Sequence, residues 1–170
     1  MRLKTNQKGF SLLEMVIVVA IMGVLMGLIG VSLSYLNRTN LKQALNNTIG
    51  VMDTAKTTAM TKAGTVGVYF EGTDSGVQVW VAKRADDGTV TTYGDAYTIS
   101  KKFAVTFVSS GSSVELTTSG NVFISFKRTS GAFDSVYVNG SSSGQIDQIQ
   151  IGNSSNGIKL YWNTGKYEKL

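Results

Sequence analysis

The chain has 170 residues, enough for one domain with a hydrophobic core and too few for two ordinary ones. It contains no Cys, His or Pro, which removes disulfides, Cys/His zinc sites, Cys and Ser-His nucleophiles and histidine acid–base chemistry, so neither an enzyme nor a metal or cofactor is expected. The net charge of +5 is unevenly placed: Arg2, Lys4 and Lys8 precede a long apolar stretch, and from Arg38 onward 13 basic against 10 acidic side chains leave +3, an ordinary solvated surface rather than a phosphate-binding one.

No charged side chain occurs between Glu14 and Arg38. The 22 residues 15–36 would form a helix about 33 Å long, enough for a hydrocarbon core of about 30 Å. With the basic residues ahead of it, this span predicts a single-pass membrane segment with its N-terminus in the cytoplasm. A cleaved secretory signal is one alternative, with Gly30, Ser32 and Ser34 as the small residues after the apolar run. Its apolar region runs to only about 15 residues, and it has no use for a carboxylate such as Glu14. A plain single-span anchor meets the same objection, because an acidic group in a spanning helix costs roughly 2.5–3.5 kcal/mol at the centre, less toward the end, and usually has a partner.

The run Lys8-Gly9-Phe10-Ser11-Leu12-Leu13-Glu14, with the basic leader before it and the apolar run after it, resembles the prepilin signature of type IV pilins and type II secretion pseudopilins. The resemblance implies that a membrane-embedded peptidase cuts between Gly9 and Phe10 and methylates the new N-terminus on Phe10, and that Glu14 acts in subunit assembly. The residues suit these roles. Gly9 presents no Cβ to a protease, and the cut would create an amine on Phe10 one helical turn from Glu14, a natural counter-ion in a poorly solvated place. The family commonly has a proline eight residues after the position of Gly23. Val31 stands there in this chain. Helix flexibility then falls to Gly23, Gly27 and Gly30, which weaken a helix by about 1 kcal/mol each and also allow close helix contact.

Beyond the span, Leu41, Leu45, Thr48, Met52, Ala55 and Ala59 recur every three or four residues, with Asn46, Asn47, Asp53 and Lys56 on other faces. This predicts that an amphipathic helix continues the same element and ends near Gly64. Short β-prone runs follow. Residues 65–71 alternate with Val66, Val68 and Phe70 on one face, residues 77–82 with Val77, Val79 and Val81, and residues 72–76 between them read as a hairpin loop. Further strands are predicted over 89–93, 103–108, 114–117, 122–127, 135–139, 146–151 and 158–162, with the Ser/Gly tract 139–144 as an exposed loop.

The head is also similar to the FimT/GspH group of minor pilins and pseudopilins. That likeness is carried by the helix end Ala55-Lys56-Thr57-Thr58-Ala59-Met60 leading into Val66–Phe70, by Phe123-Ile124-Ser125-Phe126 followed by Gly131, and by Ile149-Gln150-Ile151, Ile158-Lys159-Leu160 and Gly165 near the end.

Two patterns have competing readings. Asp86-Asp87-Gly88 looks like a fragment of a calcium loop, but no third acidic residue follows closely, and a turn is the expected role. The doublets Lys83-Arg84, Lys101-Lys102 and Lys127-Arg128, near Trp80, Tyr93, Tyr97 and Phe103, are candidates for a DNA-binding stripe, whereas basic doublets on exposed strands more often keep edges soluble.

The expected fold is therefore α+β and pilin-like, a long N-terminal helix packed against a mainly antiparallel β head. Residues 1–9 would be the leader, 10–37 the membrane and assembly half of the helix, 38–64 its amphipathic half and 65–170 the head. The expected function is structural, as a minor pilin or pseudopilin of a type IV pilus or type II secretion pseudopilus; a DNA-binding minor pilin of a competence pilus, or a major pilin, is the alternative. Expected partners are other subunits, prepilin peptidase, the inner-membrane platform with its ATPase, and lipid before assembly, with nucleic acid the less favoured partner. The expected location is the cytoplasmic membrane and then an extracytoplasmic filament.

Overall fold

A computed structural model of the chain describes residues 11–153 and 155–170, with backbone only over 28–35. Among the described residues one α-helix, α1 (Leu12–Thr61), runs without interruption through Gly23 and Gly27, and eleven strands follow it. The chain divides into two compact units, Met1–Asn40 and Leu41–Leu170. In the first, the apolar side chains of α1 from Leu12 to Met26 are exposed on every face, Leu12 at 84% and Met26 at 72%.

In the second unit the stripe read from the sequence is buried from Leu45 onward, with Leu41 only half-buried at its start: Leu45, Thr48, Met52, Ala55 and Ala59 are each at 1% exposure or less, with Ala44 beside them. The hydroxyl of Thr48 avoids being an orphan by donating to the Ala44 carbonyl one turn back, at 2.8 Å. The helix ends at Thr61, three residues before the expected stop. A bend at residues 62–64 then turns the chain into β1 (Thr65–Thr73), and Gly64 supplies the left-handed backbone for it, with φ of 103°.

Two antiparallel sheets make the head. Sheet A has the order β3-β2-β1-β6-β7-β8, with β2 (Gly76–Arg84), β3 (Val90–Ser100), β6 (Asn121–Phe126), β7 (Phe133–Val138) and β8 (Ser141–Ser143). Sheet B has the order β11-β10-β9-β4-β5, with β4 (Val105–Ser109), β5 (Ser112–Glu115), β9 (Gln148–Ile151), β10 (Gly157–Tyr161) and β11 (Lys166–Lys169). The alternating valines point as their period requires: Val66, Val68, Phe70, Val77, Val79 and Val81 are buried in one cluster with the helix stripe and with Phe107, Ile149, Ile151 and Ile158 of sheet B. Phe70 and Phe107 meet edge to face at 5.0 Å, joining the two sheets.

Several expected boundaries are corrected. The β1–β2 loop is only Asp74 and Ser75, because Gly72 and Thr73 stay in the ladder opposite Val77 and Gly76. Gly72 is there for close approach: a Cβ would stand 2.0 Å from the Thr117 carbonyl oxygen. The strand expected over 89–93 continues to Ser100, since a bulge opposite Val79–Val81 absorbs Gly94 and its φ of 80°. Part of the tract expected as a loop, Ser141–Ser143, pairs with β7 as a short exposed edge strand. A strand at Lys166–Lys169 was not expected, because Lys-Tyr-Glu-Lys shows no apolar alternation; pairing with β10 creates it.

Candidate processing and assembly site

Ser11 and Glu14 form a reciprocal cap on the N-terminus of α1. The Glu14 amide donates to Ser11 Oγ at 3.2 Å, and the Ser11 amide donates to Glu14 Oε2 at 3.1 Å. The first intrahelical bond runs from Met15 N to Ser11 O at 3.2 Å. This is the capping box of Ser-x-x-Glu, satisfying two amides that a helix N-terminus otherwise leaves to water. The sequence reading gave Glu14 an assembly role only. The Ser-to-Glu spacing ahead of an apolar run was the signal for the second one.

Gly9 and Phe10 lie outside the described residues, and Gly30 lies where backbone alone is described. At Gly23 and Gly27 no atom comes within 4 Å of the place a Cβ would take, so neither glycine is required by a contact within the described residues. Among the described residues no helix is long and apolar enough to cross a membrane. The span expected over 15–36 passes through residues 28–35, whose side chains are outside the described set.

The three basic doublets do not form one stripe: two lie near one end of sheet A and the third at the other. Lys83 and Arg84 end β2, opposite the start of β1, and Lys127 and Arg128 follow the end of β6 near the same end of sheet A. Lys101 and Lys102 follow Ser100, which pairs with Gly76 at the other end of β2. Eight strand steps separate those ends, about 27 Å. Arg84 is also engaged: its guanidinium lies 4.0 Å from the Tyr137 ring centroid and donates to the Gly140 carbonyl at 3.2 Å. Of the aromatics expected beside them, Trp80 is buried, and Tyr93, Tyr97 and Phe103 pack against the main core.

Asp86-Asp87-Gly88 forms a turn. Thr89 N donates to Asp87 Oδ1 at 2.8 Å, which holds that carboxyl below its ordinary range, and Gly88 takes a φ of 89°. No group of three metal-ligating side chains occurs among the described residues.

Residues 4–30 match the prokaryotic N-terminal methylation motif, the prepilin cleavage segment of type IV pilins and pseudopilins. Over this segment the chain is similar to type IV pilins. No curated protein and no solved structure matches it. The motif covers residues 4–9 of the expected leader, the Gly9–Phe10 bond, Glu14 and the apolar helix down to residue 30, so among the described residues it spans the capping box and most of the exposed apolar surface. The same motif implies assembly with other pilin subunits and processing by prepilin peptidase.

Proposed function

We propose that this pilin-like chain is a minor structural subunit of a type IV pilus or type II secretion pseudopilus. It is held in the cytoplasmic membrane as a single-pass precursor, N-terminus inside, and then drawn into a filament. On this reading, residues 1–9 leave with the leader, 10–37 pass from lipid to the filament core, and 38–64 seat the head, 65–170. The platform protein and its ATPase supply the extraction. The minor-subunit grade rests on the likeness of the head to the FimT/GspH group.

The observation that carries the proposal is the apolar surface of α1 from Leu12 to Met26, exposed all round the helix. A helix apolar on every side is stable only when something apolar covers it, and the two covers compatible with a prepilin segment are lipid and the same helix of other subunits.

Mass spectrometry of the native protein tests the processing step. The expected N-terminus is N-methylated Phe10, and Gly9→Val should leave the precursor uncut, since a β-branched side chain crowds the scissile bond. An intact Met1 in assembled filaments, or a native chain beginning near Ser34, would overturn the reading.

A further inference from the structure

The outer face of sheet A carries a second, smaller set of packed side chains with no part in the helix-side core. Trp80, Ala82 and Phe123 are buried there, with Tyr69, Val90 and Tyr137 half-buried against them. Strand register explains the grouping. Trp80 stands opposite Tyr69, Tyr69 opposite Phe123, and Phe123 opposite Tyr137, so four neighbouring strands place one aromatic side chain each in a single row. Their ring centroids are 4.9, 6.4 and 6.3 Å apart in turn, all tilted.

The next row toward the β1–β2 turn is polar. Gln78 faces Glu71, and Glu71 faces Asn121. Asn139 follows β7, and its Oδ1 accepts from the Asn121 amide at 2.9 Å. Among the described residues, the Asn121 side chain and the hydroxyls of Tyr69 and Tyr137 have no hydrogen-bond partner, and Asn139 keeps its NH2 uncommitted. The aromatic row also holds a buried donor without a partner, Trp80 Nε1, the kind of group a finished core satisfies, although Trp80 does not itself line the cavity described next. Between the aromatic row, the amides and Arg84 lies a cavity of about 190 Å³. That is smaller than the usual range for drug-sized ligands, about 300–1,000 Å³, and suits one ring.

We propose that this cavity, walled by Tyr69, Phe123 and Tyr137 and edged by Asn121 and Asn139, binds one neutral sugar residue of a glycan. A pyranose has an apolar face of C–H bonds, whose positive hydrogens suit the negative face of an aromatic ring, and a rim of hydroxyls that need both donors and acceptors. Tyrosine rings flanked by amides offer both. A nucleobase could also stack, but its phosphates would have to follow. The charge is wrong for them: among the described residues the one cation lining the cavity, Arg84, is committed to Tyr137 and Gly140, and the carboxylates of Glu71 and Asp87 act on the same region. A neutral polyol meets no such penalty. Tyr69 stays protonated there, since burial and then Glu71 push its phenol above the ordinary value. The inference is separate from assembly and is tested on the unassembled chain.

The experiment is saturation-transfer NMR on the full chain in a zwitterionic detergent without a sugar headgroup. The probes are free glucose, galactose, mannose and N-acetylglucosamine, with an oligothymidine as the nucleic-acid control. At least one hexose should bind with a dissociation constant on the order of 1 mM. Tyr137→Ala should weaken that binding about ten-fold or more. Asn121→Ala should weaken it comparably with little change in melting temperature, since the Asn121 side chain has no hydrogen-bond partner among the described residues. Absence of a signal from all four sugars, equal signals from wild type and both variants, or binding of the oligothymidine alone would each overturn the proposal.

Discussion

Glu14 caps α1, and on the proposed reading it would also act in subunit assembly, two roles that a single substitution separates. Glutamine at the third helical position still completes a capping box, so Glu14→Gln keeps the cap seen between Ser11 and Glu14 and removes only the charge. Membrane insertion and cleavage should be unaffected. On the proposed reading, incorporation into filaments should fail, because the Phe10 amine of one subunit would lose its anionic partner on the next, at a cost of roughly 3–5 kcal/mol. The measurement is the ratio of filament-bound to membrane-bound protein at equal expression. An unchanged ratio would leave Glu14 with the cap alone. At the other end of the chain, Gly165 adopts a φ of 60°, and a Cβ would stand 1.9 Å from the Gly131 carbonyl oxygen. Gly165→Ala therefore meets both a left-handed backbone penalty and a backbone clash, and should destabilise the head by more than about 2 kcal/mol in denaturant unfolding.

At the scale of elements, β11 is held less by its own sequence than by what it reaches on α1. The Tyr167 hydroxyl donates to Asp53, Lys56 Nζ donates to the Gly165 carbonyl at 2.8 Å, and Lys169 Nζ donates to Asn46 Oδ1 at 3.1 Å. The polar residues that the helix period placed off the apolar stripe thus serve as anchors for the last strand. Removing the hydroxyl in Tyr167→Phe should cost about 1 kcal/mol near neutral pH. Burial, and then the bond to Asp53, raise the Tyr167 phenol far above its ordinary value of 10.0. A folded pKa raised in this way gives stability that is fully present below the unfolded value and drains away as pH climbs from there toward the folded one. Stability should therefore fall above about pH 10, and the slope of melting temperature against pH between 10 and 12 should be shallower in Tyr167→Phe. Tyr69 and Tyr161, also raised, contribute to the slope that remains.

Across the whole molecule, charge is dispersed where apolar surface is concentrated. Doublets at opposite ends of sheet A offer a phosphate backbone no continuous track, so DNA binding by the full chain in micelles should be weak. Any binding should fall steeply between low and physiological salt, and neutralising Lys101-Lys102 or Lys127-Arg128 should weaken it by small, additive amounts. Tight binding at physiological salt that vanishes with both doublets would instead favour a DNA-uptake role. The exposed residues Leu12 to Met26 set the contrasting term, since hydrophobic association is indifferent to such salt changes.

The sequence by itself determined whatever depends on near neighbours. The expected leader, the expected scissile glycine and Glu14 lie within one short run that matches the N-terminal methylation motif, the helix stripe follows from a period of 3.6, and the inward valines of β1 and β2 follow from a period of 2. The Ser11 cap belonged to the same local class and was readable from its spacing. What only the tertiary structure decided depends on register between segments far apart in sequence. Trp80, Tyr69, Phe123 and Tyr137 are scattered over 69 positions and become one row only because four strands pair in a particular order. Ser141–Ser143 and Lys166–Lys169 are strands because a neighbour offers a ladder, since backbone hydrogen bonds carry no sequence signature of their own. The same pairing sent Lys101-Lys102 to one end of the sheet and Lys127-Arg128 to the other, a separation that no spacing along the chain encodes.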